Sequence, residues 1–209
     1  EVMKMIPTSA LFLLWAFLAL GRCWEPPVFC GTYECPVYTL KNEYEDFVER
    51  FYNATRWITA DIAGTHDDDI KNGFWKVYNF MNGENKEGVT IAMTRPVVVS
   101  MLEGGENGNQ TSVWIFIPPE TVLPEPNDES IKHKVLPSGT FYVRVFSGQA
   151  SYKDVMENRK ILKEALLDAG KQFDDMSYMA AAYDAPWIFW KRHNEVLIPA
   201  VCVEAPRQL

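Results

Sequence analysis

The sequence predicts an α+β fold, a curved and mostly antiparallel sheet carrying two helices, laid out as two halves of similar plan. Three observations predict it. Only two segments show helical apolar periodicity, one in each half of the chain. The other apolar runs are short, rich in β-branched and aromatic residues, and punctuated by Gly and Pro, as strands are. A loop rich in Pro and acidic residues, 120–129, separates the halves. A doubly wound α/β sheet would need more helices between its strands.

In chain order, residues 1–21 read as a secretory signal peptide. Lys4 precedes an apolar run over 10–20, and Ala19 and Gly21 stand at the -3 and -1 positions of a cut. The run is shorter than the about 20 apolar residues of a membrane span, although a signal anchor is the alternative. Glu1 and Val2 read as residues ahead of a start at Met3. Residues 22–36 are a Cys- and Pro-rich irregular arm, and 37–203 are the folded domain.

Export puts Cys23, Cys30, Cys35 and Cys202 in an oxidising compartment, where three pairings are open. Gly31 permits a tight reversal in C-G-T-Y-E-C, which favours Cys30 with Cys35 and leaves Cys23 for Cys202. A cut after Cys23 would instead leave Cys202 alone. Zinc is the rival, but C-x4-C with no second close pair and no neighbouring His is a poor ligand set. Asn53-Ala54-Thr55 and Asn109-Gln110-Thr111 are glycosylation sequons.

Residues 47–62 alternate imperfectly and read as a hairpin broken near Asn53. Asp67-Asp68-Asp69 opens the first helix, because acidic residues suit the positive end of the helix dipole. Its stripe is Ile70, Phe74, Val77 and Met81, and Asn82-Gly83 stops it. Residues 89–102 are strand-like, 104–109 a hairpin tip, and 112–117 the returning strand, ended by Pro118-Pro119. Two further strands, 131–136 and 140–146, join at Pro137-Ser138-Gly139. The second helix runs over about 152–169 on Val155, Leu162, Ala165, Leu166 and Ala169, closed by Gly170. Strands at 177–183 and 195–201 finish the chain.

A formal charge of -8 excludes a nucleic-acid footprint, which needs clustered Lys and Arg. Seven Trp, nine Tyr and twelve Phe fill either a core or a concave aromatic pocket. His66-Asp67-Asp68-Asp69 imitates a metal cluster, but consecutive residues at a helix start diverge, and a solvated N-cap is preferred. The glycines of 104–108 precede no Lys-Ser/Thr and no helix, so they make a turn and not a phosphate cradle. With no G-x-S-x-G, no H-E-x-x-H and His66, His133 and His193 scattered, the chain reads as a non-enzyme. Two segments stand out: Ile91-Ala92-Met93-Thr94-Arg95-Pro96-Val97, and Tyr183-Asp184-Ala185-Pro186-Trp187 followed by Arg192-His193-Asn194-Glu195-Val196. Asp184 is expected to bond the backbone two residues on while Pro186 locks the turn. Trp187, Phe189 and Trp190 then form either a lid over an apolar cavity or a packed corner.

These residues carry a resemblance. Arg56-Trp57-Ile58-Thr59, Gly73-Phe74 with Tyr78, Gly83-x-Asn85 and Ile91-x-Met93-Thr94-x-Pro96-Val97 come first. Phe116-Ile117-Pro118, Pro124-x-Pro126, Phe146-x-Gly148, Tyr183-Asp184-x-Pro186 and Arg192-x-Asn194-Glu195-Val196 follow. In that order and spacing the chain resembles the SOUL haem-binding protein family over most of its length after the signal. The segment from Cys30 to Tyr38 also looks like exported or plant-type members.

The resemblance implies a distorted antiparallel β-barrel with two helices in two pseudo-symmetric halves. It also implies a shallow apolar site for haem or a related porphyrin beside the first helix, so that with the signal pattern the chain reads as a secreted, non-enzymatic binder of that ring. Carried over by position, Lys71 is the basic residue for a propionate, with Phe74 and Tyr78 beside it and Trp187 and Phe189 in the later loop. The chain departs from the family pattern at three places. The position of an axial His in some members is Phe51, a second basic position on the helix is Asn79, and a third falls near Ile188. His193 is the outside candidate for an iron ligand. The alternative is an extracellular interaction protein that keeps the fold without the tetrapyrrole.

Overall fold

The computed structural model describes residues 24–105, 108–185, 188 and 190–201. The signal segment, Cys23, Cys202, Trp187 and Phe189 lie outside these, so the readings made on them are neither met nor corrected here. Among the described residues no helix is long and apolar enough to cross a membrane.

Among the described residues, nine strands and two α-helices follow in the order β1 (Tyr38–Glu43), β2 (Val48–Tyr52), β3 (Thr55–Ile62), α1 (Asp67–Met81), β4 (Val97–Gly105), β5 (Gly108–Ile117), β6 (Ile131–Leu136), β7 (Gly139–Phe146), α2 (Tyr152–Asp168), β8 (Ser177–Ala182) and β9 (Asn194–Pro199). All strand pairs are antiparallel, in one sheet of order β1-β2-β7-β9-β8-β4-β5-β3-β6. The two halves share a plan. β3-α1-β4-β5 makes the ladder β4-β5-β3, and β7-α2-β8-β9 makes β8-β9-β7. The halves meet at β4 and β8, and each lends a strand to the other: β2 pairs with β7, and β6 with β3.

Four sequence expectations are corrected. The sheet is not closed into a barrel, since β1 and β6 are edges with no ladder between them. A bulge between Leu40 and Asn42 interrupts β1, and Lys132 and Lys134 lie exposed on β6; bulges and edge lysines are features of edges left to water. Residues 47–62 are not a hairpin, because β2 and β3 pair with other partners. The strand expected from residue 89 begins only at Val97, because Pro96 has no N–H to donate to a ladder. β1 was not anticipated; its alternation is polar, and five of its six residues are exposed.

Strand alternation separates the two faces. On β5, Trp114 and Phe116 enter one core cluster while Ile115 and Ile117 enter another. The outer face is covered by α1, over Ile58, Ala60, Ile115 and Ile117, and by α2, over Tyr142, Tyr178, Val196 and Ile198. The inner cluster touches both edges, since Tyr38 of β1 and Leu136 of β6 pack on it, so the sheet curls around this core without closing. The arm packs on the same cluster through Trp24, Phe29 and the Cys30–Cys35 disulfide, whose Cα atoms are 6.2 Å apart.

Both helices start where local chemistry says they should. α1 carries Asp67, Asp68 and Asp69 in its first turn behind His66. Ser151 and Asp154 form a reciprocal capping box at the start of α2. Gly73 lets α1 lie close on the sheet. A Cβ there would stand 2.5 Å from Ile62 Cγ2 and 2.8 Å from Val113 Cγ2.

Candidate functional site

The spacing of Lys71, Phe74 and Tyr78 places them on one flank of α1, because residues three and four apart share a helix face. Phe74 is half-buried on the core beneath, and Tyr78 tilts against it at 5.6 Å between ring centroids. Trp75 completes a triad, edge-on to Phe74 at 5.4 Å and to Tyr78 at 5.2 Å, and is 54% exposed. Sequence reasoning missed Trp75 because it stands off the apolar stripe. The signal that could have found it is its place within one turn of both Phe74 and Tyr78, where it extends an apolar patch on the helix surface. Lys71 Nζ is 3.6 Å from Asp68 Oδ1, an exposed pair that contributes little to stability.

On the opposite flank an open groove of about 720 Å³ runs between α1, the end of β3 and the start of β6. Trp75 forms one wall, Ile62, Phe80 and Ile131 contribute apolar surface, and Asp61, Asp69, Glu84 and Asp128 contribute carboxylates. Asn79 lines this groove and not the flank of Lys71. Trp75 therefore belongs to both surfaces.

Phe51 lies on β2, with Lys41 Nζ 5.4 Å from its ring centroid, and β2 pairs with β1 and β7 on the α2 side of the sheet. It is not near the triad. Ile188 donates its backbone N–H to Ala185, in the loop after β8. His133 meets Phe80 edge-on, and His66 precedes α1 without a side-chain capping bond. Among the described residues, no aromatic contact of the triad involves a histidine.

His193 is engaged elsewhere. Its Nε2 is 2.8 Å from Glu195 Oε1, and Phe29 of the arm stacks flat on its ring at 3.8 Å. Glu195 is fully buried; it also accepts from Arg50 Nη1 at 2.9 Å and from the Tyr183 hydroxyl at 2.9 Å. Burial alone would raise its carboxyl, but the bonds from His193 and Arg50 outweigh it and hold it below the usual value. Burial, reinforced by the Glu195 charge, pushes the Tyr183 phenol well above its own. Sequence reasoning did not connect these groups, because 145 residues separate Arg50 from Glu195.

The two motif segments are neighbours in space. Arg95 Nη1 lies 3.7 Å from Asp184 Oδ1 and donates to the Phe29 carbonyl at 3.2 Å. Asp184 Oδ2 accepts from the His193 N–H, which closes the base of the loop; Pro186, two residues on from Asp184, lies outside the described residues. Thr94 donates to the Phe116 carbonyl, Asn194 to that of Gly148, Asn85 to those of Phe80 and Val89, and Arg56 to those of Pro119 and Thr121.

The architecture is that of a one-sheet α+β domain whose recurrent polar residues hold loops. The family model described as SOUL heme-binding protein matches residues 33–199, and the chain belongs to this family. It is 28% identical to Heme-binding protein 2 of Homo sapiens over 152 residues, 70% of this chain and 74% of that protein. It is 31% identical to Heme-binding protein 1 of Sus scrofa over 155 residues, 72% and 82% respectively. Among solved structures, the EcmrR C-terminal domain superposes with a TM-score of 0.54 at 12% identity, over 80% of this chain and 99% of that one. A structure described as a hydrolase from Listeria innocua reaches 0.54 at 9% identity, over 75% and 92%. At these identities the two structures share the fold, and the hydrolase label describes that protein alone.

Proposed function

We propose that this protein is an exported, non-enzymatic binder of haem or a related porphyrin, with the ring resting on Phe74, Trp75 and Tyr78 of α1. The observation that carries the reading is the triad itself: three aromatic rings in mutual contact at the surface of a family member. Such rings offer a porphyrin apolar burial, and Lys71 stands at the same flank beside Asp68. The residues fit a ring held by apolar contact; none of Phe74, Trp75 and Tyr78 offers the iron a nitrogen ligand.

Export is supported by the signal pattern, by the Cys30–Cys35 disulfide, and by both sequon asparagines, Asn53 and Asn109, being exposed. The non-enzymatic reading is supported by the only His–carboxylate hydrogen bond among the described residues, His193–Glu195, being covered by Phe29. A second reading, a protein-interaction domain without a tetrapyrrole, draws on Trp75 at 54% exposure and Trp190 at 83%.

Protein collected from the medium of eukaryotic cells, with its mass compared before and after N-glycan removal, is titrated with hemin and with hemin dimethyl ester. A saturable Soret shift with at least one of them, weakened severalfold by Phe74→Ala, is expected. No saturable shift with either ring, or one indifferent to Phe74→Ala and Trp75→Ala, sinks the tetrapyrrole reading.

A further inference from the structure

Carboxylates outnumber amines around α1. Asp67, Asp68 and Asp69 form its first turn, and Asp61, Glu84 and Asp128 join Asp69 in the groove beyond Trp75. Three lysines stand among them, and each is already paired: Lys71 with Asp68, Lys76 with Asp128 at 3.9 Å, and Lys132 with Asp61. Six carboxylates against three ammonium groups leave the surface negative, and Asp67, Asp69 and Glu84 make no salt bridge among the described residues.

Position makes this charge matter to a ligand. Trp75 touches Phe74 and Tyr78 and also walls the groove, so a planar ring on the triad reaches over the groove mouth with one edge. A porphyrin is about as wide as one helix with its side chains, about 10–12 Å, so its peripheral groups stand close to these carboxylates. Two free propionates there meet like charge well inside a Debye length of about 8–10 Å. A cationic substituent meets opposite charge and the exposed face of Trp75, which attracts cations.

We infer that the planar ligand of this site has a neutral or cationic periphery and not a pair of free carboxylates. The inference rests on the reading of the triad as the platform for a ring. Lys71 does not reverse it, because its one ammonium stands among the three carboxylates of the first turn, Asp67, Asp68 and Asp69.

The test compares two water-soluble porphyrins of similar size, the tetracationic N-methylpyridinium and the tetraanionic sulfonatophenyl derivatives. Each is titrated into the full chain at low ionic strength and followed at the Soret band. The cationic ring is expected to bind saturably and at least about tenfold more tightly, with a gap that shrinks as salt is added. Trp75→Ala should abolish saturable cationic binding, and Asp69→Asn with Glu84→Gln should weaken it severalfold without changing the melting temperature. Hemin dimethyl ester should likewise bind more tightly than hemin. Equal affinities, a preference for the anionic ring, or cationic binding that survives Trp75→Ala overturns the inference. Tight hemin binding without any preference overturns it while leaving the platform standing; failure of every ring removes both.

Discussion

Glu195→Gln is expected to destabilise the fold by about 3 kcal/mol. The carboxylate is fully buried and faces Arg50, itself 5% exposed, at 2.9 Å. Removing one partner of a buried ion pair costs about 3–5 kcal/mol, because the surviving charge stays desolvated and uncompensated. The lower end applies here, since Gln keeps an oxygen that can accept from Arg50 or Tyr183. Arg50 has little reserve: its buried Nε finds no hydrogen-bond partner among the described residues. In a domain of this size about 3 kcal/mol corresponds to a fall in melting temperature of about 6–12 °C.

The assay is urea unfolding of the parent, Glu195→Gln, Arg50→Met and the double variant Arg50→Met/Glu195→Gln, with the denaturant slope unchanged across the set. Removing both charges should cost much less than the two single changes added together, because no ion is then left buried alone. A Glu195→Gln loss under about 0.5 kcal/mol, or strict additivity in the cycle, would refute the claim that the pair is coupled.

The same carboxyl predicts an acid response. Its folded value lies below its unfolded one, so its contribution is complete above the unfolded value of about 4.3 and is lost as pH falls through the folded value. Melting temperatures followed downward from about pH 6 should therefore drop less steeply in Glu195→Gln than in the parent; parallel curves would mean that the group does not titrate with unfolding. Gly73→Ala tests how closely α1 sits on the sheet. Alanine gains about 1 kcal/mol of helix propensity, but its Cβ would stand 2.5 Å from Ile62 Cγ2. Overpacking of about 1–3 kcal/mol should win, read as a lower denaturation midpoint and weaker porphyrin binding; a stabilised variant would show that α1 shifts freely.

What was legible in the chain divides along a physical line. Helix α1 could be read from Asp67 to Met81 because its signals, the acidic first turn, the apolar stripe and the Asn82-Gly83 stop, all act within a few residues. The flank bearing Lys71, Phe74 and Tyr78 was legible for the same reason. Strand partnership was not. β2 and β3 are separated by two residues and look like a hairpin, yet the exchange of edge strands sends β2 to β7 and β3 to β5 and β6. Nothing local encodes that exchange, and nothing local tells a curled open sheet from a closed barrel. The charged centre was hidden by distance: Arg50 sits in a half-polar strand and Glu195 in a motif, and only the curl brings them together.

The residues that mark the family and those that would meet a ligand overlap only at Phe74 and Tyr78, and the surroundings of the rest explain why. Thr94, Asn85, Asn194 and Arg56 donate to backbone carbonyls, and Asp184 joins Arg95 to the start of β9. Each satisfies a loop that would otherwise leave polar backbone unpaired, so its replacement is felt by the whole fold. A side chain already engaged in this way has little capacity left for a ligand. Trp75 and Lys71 stand on a helix whose buried face is built from other residues, Gly73, Val77, Phe80 and Met81. Their exchange changes what the surface recognises while the helix stays in place. A chain can therefore keep every motif of its family and still prefer a ring of different charge, and the carboxylates around α1 are where that difference is written.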